Sequence, residues 1–330
     1  MGFGVINKLK IAAAAFAAAC LGACAHAVPE ATAAIPAPQI NSVPAKPARV
    51  LPSARIPASD AIDAPQYVVW RDLAYGPAYA QKLDVYGANA ISDKKAPIIL
   101  MVHGGSWKYG DKGLGRVVDN KAGHYLARGY VFVSINYRLI PEAYPADQAR
   151  DVASALAYVQ AHAEEWGGDA SRIVLIGHSA GAHLVSLINA NPMFAAEAGA
   201  HKWMGTVALD SAAYDVERLM TGRHGKLYDV AFGTDPEFWR KTSPTVQVSG
   251  QPAPMLLVCS SKVQLQCLQA ERLKTALAGY QGTAHILPVD LAHGEINVNL
   301  GLDGEYTRQV DQWLASLGLP TTVLLTEKTE

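Results

Sequence analysis

The sequence is poor in charged residues, and its charges are evenly balanced. Of its 330 residues 17% are charged, 50% are hydrophobic, and the formal net charge is -1. No basic run breaks this balance, so we expect no nucleic acid or other polyanion as a partner. A chain this apolar is not a candidate for intrinsic disorder, because it can bury a sizeable core in one large domain or two small ones.

Cysteine is also scarce, since the whole chain contains four. So few cysteines in so long a chain exclude a small scaffold held together by disulfides. No Cys/His group has the spacing of a zinc site, and the sequence contains neither a P-loop nor a dinucleotide-binding fingerprint. We therefore expect no metal site and no cofactor.

The amino terminus has an apolar run that is too short to cross a membrane. Two lysines precede this run, residues 11–23, which has the features of a signal-peptide core. The sequence LGAC at 21–24 resembles a bacterial lipobox and would make Cys24 the lipidated residue of the mature protein. The sequence AHA at 25–27 is a competing cleavage site for a soluble exported protein. Both interpretations predict export, as a periplasmic protein or an outer-membrane lipoprotein whose only membrane contact is its lipid anchor.

The Ala/Pro-rich stretch that follows has no helical or strand period. Its composition cannot bury a core and predicts a semi-rigid, extended tether. We therefore divide the chain into a lipoprotein-type signal peptide (1–23), a tether (24–65), a folded domain (66–320) and a C-terminal tail (321–330).

Within the folded domain, short apolar runs alternate with helical patterns. The predicted strands are 67–73, 82–86, 97–103, 130–137, 172–176, 206–209, 254–258 and 284–289. The predicted helices are 117–128, one beginning after Pro145, 180–189, about 265–277 and 305–317. This alternation predicts an α/β fold with a mostly parallel central sheet and helices on both faces. The aromatic stretch 211–248 lies between two predicted strands, and we expect an irregular cap or substrate-facing loop there.

The sequence GHSAG at 177–181 has the pattern G-x-S-x-G between a predicted buried strand and a predicted helix. In this context the pattern predicts a nucleophile elbow, a sharp turn that exposes the hydroxyl of Ser179 at the carboxyl edge of the sheet. The helix begins at Ala180, so its free backbone N–H groups would face a developing anion.

The sequence HGGSW at 103–107 follows another predicted strand. Because glycine has no side chain, the two glycines of this loop allow a backbone N–H to approach a substrate oxygen closely. We expect the N–H of Gly104 or Gly105 to form an oxyanion hole with that of Ala180. Trp107 and His178 are candidate substrate-binding residues, with simple packing as the alternative for each.

These motifs resemble those of α/β-hydrolases of the esterase/lipase kind, over most of the chain from about Tyr67 to Leu317. The HGG-type loop is similar to that of hormone-sensitive-lipase-like, kynurenine-formamidase-like and carbohydrate-esterase-like members. The sequences NYRL at 136–139, YPA at 144–146 and WGGDASR at 166–172 resemble connecting segments of the same superfamily. The resemblance implies the α/β-hydrolase fold and serine-hydrolase chemistry, and it leaves the substrate open.

A serine hydroxyl needs a neighbouring imidazole to accept its proton, and the family order is serine, acid, histidine. His293 lies in the sequence LAHGE just past the last predicted strand, where the resemblance places the base. Of the ten histidines, His293 is the one that combines this position with a glycine neighbour. We therefore predict that His293 is the general base.

The catalytic acid is the anomaly of the sequence. The family usually carries it after the penultimate strand, yet no Asp or Glu occurs between Glu237 and Glu271. Either the site is a Ser/His dyad, or the acid comes from another strand.

Four carboxylates are candidates for this role. Asp210 is the first choice because it ends the preceding strand, as in some lipases of the superfamily, with a turn cap as its alternative use. Asp215 is the second, since it matches an Asp that often follows this strand in kynurenine-formamidase-like relatives. Asp290 and Glu295 are near His293 in sequence, but we expect them to point elsewhere.

Cys259 and Cys267 bracket the loop that lacks the acid. In an oxidising compartment a cysteine at the end of a strand can pair with one eight positions later. We therefore predict a disulfide that rigidifies this loop, with two free buried thiols as the alternative.

The favoured reading is a carboxylic ester hydrolase that acts on small-molecule esters through an acyl-enzyme on Ser179. The ester preference is an analogy with the fold. An amidase such as an arylformamidase would use the same machinery, and an exported, non-catalytic binding protein on a hydrolase fold is the third possibility. The sequence gives neither the acyl group, nor the alcohol, nor the oligomeric state.

Overall fold

The computed structural model describes residues 67–88 and 94–324. The predicted signal peptide, Cys24, the whole of the predicted tether and the end of the predicted tail lie outside these ranges. No helix within the described ranges combines the length and the apolarity that a membrane span requires.

A single sheet of eight strands forms the centre of the described domain. The strands are β1 (Tyr67–Ala74), β2 (Lys82–Ala88), β3 (Ala96–Val102), β4 (Val131–Ile135), β5 (Gly168–His178), β6 (Gly205–Leu209), β7 (Met255–Ser260) and β8 (Ala284–Val289). Their order across the sheet is β1-β2-β4-β3-β5-β6-β7-β8. β2 runs antiparallel to both its neighbours, whereas all other neighbouring pairs are parallel. The carboxyl ends of β3 to β8 therefore meet at one edge of the sheet, as in an α/β-hydrolase.

Eleven α-helices connect and cover the strands of the described ranges. They are α1 (Gly115–Leu126), α2 (Pro145–His162), α3 (Ala180–Ala190), α4 (Met193–Glu197), α5 (Val216–Thr221), α6 (Lys226–Phe232), α7 (Pro236–Lys241), α8 (Pro244–Gln247), α9 (Gln264–Ala278), α10 (His293–Asn299) and α11 (Glu305–Ser316). The five predicted helices correspond to α1, α2, α3, α9 and α11. The prediction of an α/β fold with a mostly parallel sheet is thus confirmed.

The sheet separates two layers of the hydrophobic core. In β3, Ile98, Leu100 and Val102 pack on one face with residues of α2 and α3. The alternate residues Ile99 and Met101 pack on the other face with residues of α1 and α11. All five are fully buried, which explains why the strand reads as a continuous apolar run rather than an alternating one.

One prediction about local structure was wrong. The stretch 211–248 is not irregular, because it forms the four short helices α5 to α8. A further short helix that the sequence does not predict, α10, begins at His293.

The outer strand at the β8 end of the sheet carries a proline. Among the described residues β8 pairs only with β7, and Pro288 lies opposite Cys259 in that pairing. Proline has no N–H to donate, so its place in a sheet is normally at such an edge.

Candidate active site

Ser179 lies at the sharp turn between β5 and α3. Its backbone has φ 56° and ψ −116°. Residues other than glycine rarely adopt this conformation, and it persists only where the surrounding structure enforces it. The backbone N–H of Ser179 donates to the carbonyl oxygen of Leu209 at 2.9 Å, which ties the turn to β6. A Cβ at Gly181 would lie 2.2 Å from the carbonyl oxygen of Val102, so only glycine fits there. The predicted nucleophile elbow is therefore present as a structure.

The loop after β3 brings backbone amides to the same place. Gly105 has φ +134°, and a Cβ at this position would lie 2.0 Å from the carbonyl oxygen of Tyr109. Ser106 and Trp107 follow with φ 55° and 59°. Two successive left-handed residues that are not glycine cost on the order of 1 kcal/mol or more each, so other parts of the domain must hold this loop.

Three hydrogen bonds provide that support at the backbone. The hydroxyl of Tyr137 donates to the carbonyl oxygen of His103 at 3.0 Å. The side-chain amide of Gln148 donates to the carbonyl oxygen of Trp107 at 2.8 Å, and the backbone N–H of Ile140 donates to the same oxygen at 3.0 Å. These donors come from the loop after β4 and from α2, so the glycine loop is held by the body of the domain.

Trp107 is buried in the core and does not line the cavity at the site. Its side chain is only 2% exposed and packs against His183, Tyr228 and Phe232. The indole N–H donates to Nδ1 of His183 at 3.2 Å, and Nε2 of His183 lies 2.7 Å from the carbonyl oxygen of Thr242. Burial lowers the pKa of His183 to about 4, so the ring stays neutral and can accept at Nδ1 while it donates at Nε2. The structure therefore favours the alternative that Trp107 packs in the core, because aromatic side chains of α6 cover it.

One cavity of about 600 Å³ brings the predicted residues together. Gly104, Gly105, His178, Ser179 and His293 all line it. The first turn of α1 and the exposed side of α10 form its other walls. The cavity opens at the carboxyl edge of the sheet, where the strand order places the ends of β3, β5 and β8.

His293 is paired with Asp210. Its Nδ1 lies 2.6 Å from Oδ2 of Asp210, while the imidazole itself is about half exposed and the carboxylate is fully buried. The backbone N–H of Ser260 donates to the other oxygen, Oδ1, at 2.7 Å. Asp210 directly follows β6 and has φ 57°, and this turn directs its side chain across the end of β7 towards His293. The structure thus contains a Ser/His/Asp set at one edge of the sheet.

The other candidate acids have different partners. Asp215 caps the amino end of α5 by accepting from the N–H of Arg218, and it also pairs with Arg272 at 3.3 Å. Asp290 lies 3.7 Å from the ammonium of Lys262. Glu295 accepts from the N–H of Ala292 at 2.7 Å, as expected for a carboxylate in the first turn of a helix.

His178 lies beside His293 and contacts its ring and its backbone. The two rings are 4.6 Å apart, and Nε2 of His178 lies 2.9 Å from the carbonyl oxygen of His293. Burial, aided by the charge of His293, lowers the pKa of His178 to about 3. The ring is therefore neutral at physiological pH, and its Nε2–H donates to that carbonyl.

Cys259 and Cys267 are joined in the structure, with their Cα atoms 5.2 Å apart. The bond links the end of β7 to the first turns of α9. Among the described residues, no group of three or more His, Cys, Asp or Glu side chains is arranged to hold a metal ion.

Ser260 belongs to this site although the sequence does not predict it. Its amide contacts the carboxylate of Asp210, but a backbone donor leaves no signal in the residue type. The only available hint was its position at the end of a strand whose following loop has no acid.

Comparisons with known proteins agree with this architecture. A family model described as BD-FAE matches residues 83–277. The chain is 30% identical over 220 residues to Esterase LipC of Mycobacterium tuberculosis, which covers 62% of this chain and 54% of that protein. It is 37% identical over 124 residues to a probable carboxylic ester hydrolase, LipM, of the same organism, over 37% of this chain and 28% of that protein. The chain thus spans about half the length, or less, of these curated relatives.

Two of the solved structures with similar folds are described as esterases. Esterase B from Lactobacillus rhamnosis superimposes with a TM-score of 0.63 at 20% identity, over 77% of this chain and 86% of that one. A truncated carbohydrate esterase from gut microbiota gives 0.63 at 18% identity, over 76% of this chain and 95% of that one. These likenesses establish the fold, and the BD-FAE model matches more than half of the chain. The chain is therefore a member of the BD-FAE family and has the α/β-hydrolase fold.

Proposed function

We propose that this protein is a serine hydrolase that cleaves carboxylic esters through an acyl-enzyme on Ser179. The observation that carries the proposal is the 2.6 Å contact between Nδ1 of His293 and the buried carboxylate of Asp210. His293 and Ser179 line one cavity. Sequence alone favoured this acid without deciding between a triad and a dyad.

The proposed mechanism starts with the tautomer of His293. Because a carboxylate only accepts hydrogen bonds, Asp210 holds the imidazole proton at Nδ1 and leaves Nε2 free to take a proton. Nε2 removes the proton of the Ser179 hydroxyl as its oxygen attacks the ester carbonyl. The imidazolium then gives this proton to the departing alcohol. Water, activated by the same nitrogen, hydrolyses the acyl-enzyme and releases the acid.

Backbone amides would stabilise the negative charge that develops on the carbonyl oxygen. The N–H of Ala180 begins α3 directly after the nucleophile, and Gly104 and Gly105 line the same cavity. Each donor of such an oxyanion hole contributes about 3 kcal/mol to catalysis. No part of this mechanism requires a cofactor.

The preference for esters is supported by the relatives. LipC is described as an esterase and LipM as a probable carboxylic ester hydrolase. A cavity of about 600 Å³ suits small-molecule esters with short or medium acyl chains. The presence of a carboxylate at His293 removes the main argument for a non-catalytic binding protein.

The test is labelling and turnover of the purified protein. A serine-reactive phosphonate should add to Ser179, as located by mass spectrometry, and p-nitrophenyl acetate should be hydrolysed. Ser179→Ala should lose both reactions. Ser106→Ala is the matched control, because Ser106 lines the same cavity and this variant should keep both. Wild-type turnover by Ser179→Ala would refute the proposal.

A comparison of the kinetics on an ester and on an amide substrate distinguishes an ester hydrolase from an amidase. We expect the kcat/KM for a p-nitrophenyl ester to exceed that for the corresponding anilide or aryl formamide. A reversed preference would identify an amidase that uses the same residues.

We also infer that the protein is exported and anchored by a lipid on Cys24. The support is the lipobox-like sequence after a short apolar run. Cells fed labelled palmitate should incorporate it into the wild type, and Cys24→Ala should abolish the label. An unlabelled protein cleaved after Ala27 would show instead that it is exported in soluble form.

A further inference from the structure

Ser260 lies between the acid and the base of the proposed site. Asp210 directly follows β6 and His293 lies in the segment after β8, while the strand order places β7 between the two strands. Ser260 is the last residue of β7 and is fully buried. The line from the carboxylate to the imidazole therefore passes across the end of β7.

The backbone N–H of Ser260 holds the carboxylate of Asp210. It donates to Oδ1 at 2.7 Å, while Nδ1 of His293 contacts Oδ2 at 2.6 Å. With one donor on each oxygen, rotation of the carboxylate would break both bonds. Such preorganised donors keep a catalytic group in its productive orientation.

The side chain of Ser260 holds the segment that carries the base. Its hydroxyl donates to the carbonyl oxygen of Leu291 at 2.7 Å. Leu291 lies two residues before His293, in the turn between β8 and α10. A single residue therefore fixes the acid through its amide and the base-bearing turn through its hydroxyl.

Ser260 is itself immobilised from two sides. It is paired with Val289 of β8, and its neighbour Cys259 is bonded to Cys267 of α9. The end of β7 is thus held both by the sheet and by a covalent link.

We propose that Ser260 is a positioning residue that aligns Asp210 with His293. This inference rests on the proposed function, because it assigns a role within the same site. It also accounts for the missing acid after β7: with the carboxylate supplied by β6, the end of β7 serves as the support across which that carboxylate reaches the imidazole.

Ser260→Ala removes the hydroxyl but keeps the backbone donor. We expect kcat to fall roughly tenfold with KM nearly unchanged, because the base is displaced while the cavity is kept. Ser261→Ala is the matched control. The Ser261 hydroxyl also bonds to a strand carbonyl, that of Val289 at 3.1 Å, and it contacts neither the acid nor the segment at Leu291. This variant should keep the wild-type kcat.

A spectroscopic signature separates positioning from general stability. The Nδ1 proton between His293 and Asp210 should give a strongly downfield proton resonance in the wild type and in Ser261→Ala. In Ser260→Ala the resonance should shift or broaden at a temperature well below unfolding. Ser260→Thr, which retains a hydroxyl, should recover kcat and the resonance if its methyl group is accommodated, and the Ala variant decides the matter if it is not.

The inference is overturned if Ser260→Ala keeps both the wild-type kcat and an unchanged resonance. That outcome would leave the proposed function intact, since Ser179→Ala would still be inactive. Failure of the proposed function is distinct: the wild type would then neither react with the phosphonate nor hydrolyse the ester. The resonance needs no turnover and would still test the alignment.

Discussion

Nδ1 of His293 lies 2.6 Å from Oδ2 of Asp210, although the two residues are 83 positions apart in sequence. The contact joins the ends of β6 and β8 across the intervening β7. Asp210 thereby takes the place of the carboxylate that is missing after β7. The orientation of the His293 imidazole depends on this residue, which follows a different strand.

Asp210→Asn should leave the fold intact and lower kcat by on the order of 10³–10⁴-fold. An asparagine can donate to Nδ1, and it then favours the tautomer that cannot accept the proton of Ser179. Steady-state kinetics with p-nitrophenyl acetate measure the effect. Asp215→Asn is the control, because it loses a helix cap but no contact with the imidazole. Equal activities of the two variants would exclude Asp210 as the acid.

Tyr137→Phe should impair catalysis more than stability. It removes the hydroxyl that donates to the carbonyl oxygen of His103 at the start of the glycine loop. A small shift of that loop would misplace the proposed oxyanion donors, so we expect roughly a tenfold lower kcat.

Tyr130→Phe is the matched variant for this test. It removes a similar bond, from the hydroxyl to the carbonyl oxygen of Pro320 at 2.8 Å, far in sequence from the glycine loop. Both variants should lose about 1 kcal/mol of unfolding free energy, measured by urea titration. Equal losses of kcat in the two would show that this support of the loop does not contribute to catalysis.

The stability of the protein should fall as the pH drops from about 6.5 to about 4. Burial lowers the pKa of His178 to about 3 and that of His183 to about 4, from an ordinary 6.5. In this interval the unfolded chain binds protons that the folded protein excludes, so each histidine costs about 1.4 kcal/mol of unfolding free energy per pH unit. Above pH 6.5 neither histidine contributes to the pH dependence.

Urea titrations between pH 4.5 and 7.5 measure this slope. His183→Asn should be less stable at every pH, since it loses its contacts with Trp107 and Thr242, and its slope should be smaller than that of the wild type. Parallel slopes for the two proteins would contradict a neutral, buried His183.

The Cys259→Ala/Cys267→Ala double variant should unfold more easily. Closing so short a loop contributes about 2–3 kcal/mol by restricting the unfolded chain, which corresponds to a decrease in Tm of roughly 5–10 °C. Thermal unfolding with and without a reductant measures the change. The reductant should bring the wild type close to the variant and leave the variant unaffected. If the thiols at 259 and 267 react with a thiol reagent before reduction, the predicted disulfide is wrong.

The parts of the site whose constraints are local could be predicted from the sequence. Around Ser179 and in the loop at Gly104 and Gly105, the backbone leaves no room for side chains, and the required glycines mark these turns. Asp210 could be placed only as the first of several candidates. Its contact with His293 depends on the strand order and on a left-handed turn at a non-glycine residue, and neither feature has a local signal.

Short helices and buried contacts were harder to predict. The stretch 211–248, which the sequence predicts to be irregular, contains two helix-start signals. They are Asp235 before Pro236 and Ser243 before Pro244. The helices they begin have six and four residues, too few to show a helical period. Likewise, nothing near Trp107 in sequence indicates that aromatic residues of α6, more than 100 positions away, bury it.

Pro288 has a consequence for how the molecule behaves in a crowded solution. An outer strand with unpaired amides and carbonyls invites a strand of another molecule to add to it and extend the sheet between chains. At Pro288 the row of donors on β8 is interrupted, so an incoming strand would lack a bond there. We therefore expect strand addition at this edge to be weaker than it would be beside a strand with an unbroken row of donors.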